Sequence, residues 1–214
     1  MLLAITFSFA GIGSNSSSAQ GQITKPDEST EPPLKYTLKV GDQSIDINEG
    51  ETARLEGVFT NPEVTLTTQP FREFTYQGIS FRYPSKFVFE ADLDDANYKN
   101  WTLSGNDFKI MYFVLNARLT TSDFAKSMMG KFGLENCELA NAPQMKFGDK
   151  SLSGTTLNVT LAGNKLVIDI YGVSSNGKQT KLLVLQDDLD DSGNRSTEGK
   201  QALEFFRQLP NFER

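Results

Sequence analysis

The 214-residue chain contains no histidine, which excludes Ser-His-Asp and Cys-His catalytic arrangements, imidazole-rich zinc sites and the commonest general base. Its one cysteine, Cys137, cannot form an internal disulfide, and as a nucleophile it would lack its usual base. We read it as a buried structural thiol in a strand over residues 137–139. Glycine-rich phosphate loops, GxGxxG fingerprints and CxxC pairs are also missing. Basic charge is scarce: 21 Lys and Arg face 27 Asp and Glu, for a net charge of -6. Scattered cations on an acidic chain oppose a phosphate backbone, so nucleic acid is excluded as the main partner. Beyond the N-terminus no stretch approaches the roughly 20 apolar residues of a transmembrane helix.

Among what is present, residues 1–10 are apolar, and Ser17-Ser18-Ala19 sets small side chains three and one positions before Gln20. A secretory signal peptide over residues 1–19, cleaved after Ala19, is the expectation, although no charged n-region precedes it. It implies a secreted or periplasmic, extracytoplasmic protein. Residues 20–34 are polar and carry Pro26, Pro32 and Pro33, which suits a disordered linker. Residues 35–70 alternate in short apolar runs around Tyr36–Val40, Ile45-Asp46-Ile47, residues 55–59 and Val64–Thr68. Turn signals separate them, so this is a small antiparallel β unit, marginal alone.

Residues 71–214 form the main domain. Two aliphatic runs within residues 165–186 flank Ser174-Ser175-Asn176-Gly177-Lys178, the pattern of a central β-hairpin. Leu166, Ile168 and Ile170 point to one face and Val167 and Tyr171 to the other, so both faces must be covered. Residues 108–115 read as a second central strand. Thr121 is the expected N-cap of a helix through Phe132, with Phe124, Met128 and Phe132 on its core face and Gly133 at its stop. A last helix over residues 198–209, capped by Ser196 or Thr197, would bury Ala202, Phe205, Phe206 and Leu209. The order predicts an α+β fold, an antiparallel β-sheet covered by helices, with the small N-terminal β unit attached.

Residues 76–87, Tyr-Gln-Gly-Ile-Ser-Phe-Arg-Tyr-Pro-Ser-Lys-Phe, place a glycine, an aromatic strand and a Tyr-Pro before another aromatic. That segment, the helix after the strands, the long hairpin and a closing helix ending in Phe-x-x-x-Pro-x-Phe resemble PsbP-like domains, a superfamily that includes the DcrB-like proteins. The resemblance covers about residues 74–212. It implies a PsbP-like α/β/α sandwich and a non-enzymatic accessory or binding role outside the cytosol, and it carries over no catalytic residue.

One loop matches a metal pattern. From Asp188, oxygen ligands fall at positions one, three and five (Asp188, Asp190, Ser192) with Gly193 at six, as in a calcium loop. The bidentate acid belongs at twelve, where Gly199 stands, and Glu198 is one residue early. The reading we take is a solvated acidic loop ahead of the last helix, with calcium the one metal worth testing. Asn100-Trp101-Thr102, Asn158-Val159-Thr160 and Asn194-Arg195-Ser196 match the glycosylation triplet. Trp101, Tyr76, Tyr83 and Tyr98 read as core plugs before sugar platforms. No catalytic residues are assigned. The functional expectation is a non-enzymatic domain binding a protein. A small-ligand or calcium binder using residues 188–198 is the alternative, and an enzyme acting on carbohydrate through two carboxylates is the third.

Overall fold

The computed structural model describes residues 27–175 and 177–207. The expected signal peptide, the first part of the expected linker, the hairpin-tip residue Asn176 and Leu209 lie outside them. Three strands, β1 (Lys35–Val40), β2 (Gln43–Asn48) and β3 (Val64–Thr68), form an antiparallel sheet in the order β2-β1-β3. The expected run over residues 55–59 is not a strand: Gly57 at φ 141 and the exposed Val58 interrupt it.

Beyond this unit lie β4 (Phe71–Phe74), β5 (Phe81–Pro84), β6 (Val88–Asp92), β7 (Tyr98–Ser104) and β8 (Phe108–Leu115). They are followed by α1 (Thr121–Phe132), β9 (Cys137–Asn141), β10 (Met145–Phe147), β11 (Lys150–Leu152) and β12 (Gly154–Leu161). The described part closes with β13 (Asn164–Ser175), β14 (Thr180–Leu189) and α2 (Thr197–Arg207). Seven strands make one antiparallel sheet in the order β6-β7-β8-β14-β13-β12-β9, while β4–β5 and β10–β11 are separate hairpins. The β13–β14 hairpin sits inside the large sheet as its apolar runs require, with Ile168 and Ile170 in one core and Tyr171 in the other. In β12, a Cβ on Gly154 would overlap the Ile170 carbonyl, so the close approach of β13 there needs glycine.

This architecture corrects the expected α+β fold. The described residues are mostly strand, with two α-helices, and the molecule is not an α/β/α sandwich whose helices cover the sheet. The reason is dimensional. A helix about 10 Å across spans about two strands spaced about 4.8 Å apart, so one short helix on each face cannot roof seven strands. α1 packs over β9, β12 and β13. On that face β6 and β7 carry Val88, Glu90, Asn100 and Thr102, none of them buried. The opposite face is covered by α2 together with the two hairpins, whose Phe74, Phe81, Tyr83, Met145 and Leu152 join Trp101, Tyr112 and Phe206 in one aromatic core. Trp101 is fully buried, as a core plug should be, whereas Cys137 is only half-buried on the edge strand β9.

The N-cap of α1 is Thr120, one residue before the expected Thr121. Its hydroxyl accepts from the Asp123 amide at 3.1 Å, and the Asp123 carboxylate accepts from the Thr120 amide at 3.3 Å. Thr120→Ala is expected to cost about 1 kcal/mol in a urea titration. A change too small to measure would mean that packing of Phe124 and Ala125 alone holds the first turn.

Candidate functional site

The acidic loop over residues 187–198 is built on a buried charge cluster. Asp169 on β13 and Asp187 on β14 are 2% and 0% exposed and lie on the α2 face as diagonal neighbours, since Asp169 pairs across from Leu185 and Asp187 from Val167. Arg195 bridges them, bonding the Asp169 carboxylate with one guanidinium nitrogen and reaching Asp187 Oδ2 at 3.5 Å with the other. Thr156 Oγ1 donates to Asp169 Oδ1 at 2.5 Å, and the Ser196 amide donates to Asp187 Oδ1 at 3.2 Å. Burial pushes the Asp187 carboxyl above its ordinary value, against the contrary pull of Ser196 and Arg195. The cluster ties the chain between β14 and α2 to the sheet, and Ser196 Oγ then accepts from the Gly199 amide at 2.8 Å to cap α2. One signal for it was in the sequence: Asp169 interrupts the apolar run Val167-Ile168-Asp169-Ile170-Tyr171.

The four calcium candidates do not converge. Asp188 is exposed on the opposite face of β14, at the rim of a groove of about 280 Å³ whose walls include Phe132, Leu161 and Leu166. The Asp190 carboxylate accepts from the Asn194 amide at 2.7 Å and from its side chain at 3.1 Å, bonds that hold its pKa low. Ser192 is exposed in the turn. Glu198 is buried and faces away toward the turn between β7 and β8, accepting from the amides of Asp107 at 2.9 Å and Phe108 at 3.2 Å and pairing with Lys86 at 3.1 Å. Burial raises its pKa, but these donors outweigh it and leave the carboxyl below its ordinary value. Among the described residues no group of three or more His, Cys, Asp or Glu is placed to hold a metal ion.

The surface that stands out is the three-stranded sheet. Its register sets Tyr36 against Ile47, Leu38 against Ile45 and Leu66, and Val40 against Val64, so seven apolar residues share one face. Only Val40 of these is buried; Val64 and Leu66 are 46% and 58% exposed. β3 is an edge strand and all five of its residues are exposed. Its sequence, Val-Thr-Leu-Thr-Thr, has high strand propensity and carries none of the charges or prolines that normally protect an edge. The alternation over Val64–Thr68 marks this strand, but alternation alone does not say how far its apolar side is covered.

No protein-family model matches this chain, and a search of curated proteins returns no match.

Proposed function

We propose that this chain is a protein-binding module of the extracytoplasmic space, and that β3 receives an extended strand from its partner. The carrying observation is the exposed, uncharged β3 edge, whose Val64 and Leu66 are 46% and 58% exposed on the apolar face of the sheet. Strand addition uses both features, since the edge supplies main-chain hydrogen bonds and alternate side chains rest on Val64 and Leu66. The extracytoplasmic part rests on the apolar residues 1–10 and the Ser17-Ser18-Ala19 site. A binding role accords with the lack of histidine and with the accessory or binding role that the resemblance of about residues 74–212 to PsbP-like domains implies, although the sandwich it also implies is not the fold of this chain.

The test places a photo-crosslinking amino acid at Thr67 and, as a control, at Lys109 on β8, and exposes the full chain to extracytoplasmic extract. A protein cross-linked from Thr67 and absent from the control is expected, and Leu66→Lys should abolish it while changing stability by less than about 0.5 kcal/mol. Identical products from both positions, or capture that survives Leu66→Lys, would defeat the proposal.

A further inference from the structure

Residues 27–34, read from their prolines as linker, lie along the main body in a groove between β7 and the turn that joins β4 to β5. Three of their carbonyls, at alternate residues, each accept from a groove side chain. Trp101 Nε1 donates to the Glu28 carbonyl at 2.7 Å, the Tyr76 hydroxyl to that of Thr30 at 2.5 Å, and Arg72 to that of Pro32. The carboxylates of Glu28 and Glu31 are met from the groove as well, while that of Asp27 accepts from Ser29 within the segment. Gln77 Nε2 lies 2.7 Å from each Glu28 carboxylate oxygen, Lys99 pairs with Glu28 at 3.2 Å, and Arg72 pairs with Glu31 at 3.3 Å. Of residues 28–33 only Pro32 is buried, so one apolar contact and the polar bonds above hold the segment.

The Gln77 backbone is held from outside the strap. Gln77 takes a left-handed φ of 51 beside Gly78 at 76, and its carbonyl is pinned by Lys181 Nζ at 2.6 Å, which aims the Gln77 amide at the strap. Beneath the strap lies Tyr83, cross-strand partner of Arg72, whose hydroxyl is fully buried without a hydrogen-bond partner among the described residues.

We infer that the groove of Arg72, Tyr76, Gln77, Lys99 and Trp101 is a second binding site, for an acidic segment of a partner protein, and that residues 28–32 occupy it in cis. Backbone carbonyls read at every second residue make the site tolerant of sequence, while Lys99 and Arg72 select carboxylates three residues apart, as Glu28 and Glu31 are. In a chain of net charge -6 this pairing of two cations with an acidic strap is local complementarity rather than a general basic surface. A trans segment competes with a tethered one, so the wild-type protein binds weakly until its strap is loosened. The site shares no residue with β3.

The probe is a fluorescein-labelled synthetic peptide of residues 27–34, titrated by anisotropy against full-length protein. Glu28→Ala/Glu31→Ala, which weakens the strap, is expected to bind it about 10-fold more tightly than wild type, and adding Lys99→Ala should reverse that gain. A peptide with both glutamates replaced by glutamine should bind correspondingly less. The single variant Glu28→Gln serves if the double variant loses its circular-dichroism signature, with the same direction expected. Peptide binding that is absent from the strap variants, or that ignores Lys99→Ala, overturns the inference. So does a wild-type dimer that dissociates on Glu28→Ala, which would give the groove to a second copy of the strap.

Discussion

Arg195→Met is expected to destabilise the fold by about 3–5 kcal/mol at neutral pH, the loss typical of removing one member of a buried ionic group. The mechanism is specific to this site. Among the described residues Asp169 and Asp187 keep Thr156 and Ser196 as bonded donors once the guanidinium is gone, and they face each other as buried like charges on neighbouring strands. Burial already raises the Asp187 carboxyl, and Arg195 is one of the groups that restrain it. Without that restraint its native pKa rises further, so the folded variant holds a proton that the unfolded chain releases above about pH 4. Stability of the variant then falls as pH increases from about 4 through the raised native pKa. The deficit relative to wild type is thus larger at pH 7 than at about pH 4.5, and urea titrations at the two values measure it. Asp187→Asn combined with Arg195→Met should recover part of the loss, because one of the two charges is gone. A deficit below about 1 kcal/mol, or one indifferent to pH, would show that water rather than Arg195 neutralises the pair.

The same cluster shows what a sequence carries and what it does not. The β13–β14 hairpin, β8 and α1 were legible because their signals are local: alternation, a turn motif, and apolar residues four apart. The Asp188, Asp190 and Ser192 spacing was equally legible, but spacing does not say where a carboxylate turns. Glu198 turns to the Asp107 and Phe108 amides, a contact between residues 91 and 90 positions apart. Asp169 and Arg195 are 26 residues apart and meet only through the sheet register. The helical cover failed for a related reason. Seven-strand width is a property of pairing, and the hairpins β4–β5 and β10–β11 that complete the cover are too short to register as a layer. Prolines at positions 32 and 33 marked residues 27–34 as linker, while the donors that hold them, Arg72, Tyr76, Gln77 and Trp101, lie 40 to 73 residues downstream.

Trp101→Ala is expected to cost about 3–5 kcal/mol, within the range for deleting a fully buried large aromatic. The indole lies among rings from three other places in the chain: Phe74 edge-on with ring centres 6.0 Å apart, and Tyr76 and Tyr112 stacked at 6.2 and 5.7 Å. These neighbours belong to β4, the following turn and β8, which are fixed by their own hydrogen bonds, so the space cannot close by shifting one element. Its loss also releases the strap at Glu28, because Trp101 Nε1 is the donor to that carbonyl. Trp101→Phe separates the two effects. It keeps much of the aromatic packing and removes the indole donor, so stability should fall by a smaller amount while hydrogen exchange of residues 27–34 accelerates. Exchange in the strap unchanged by Trp101→Phe would mean that Arg72 and Tyr76 hold it unaided, and a Trp101→Ala loss under about 2 kcal/mol would mean that the hairpin layer collapses onto the sheet. The pair of variants thus measures how firmly the aromatic core under β4–β5 and the acidic strap above it are joined.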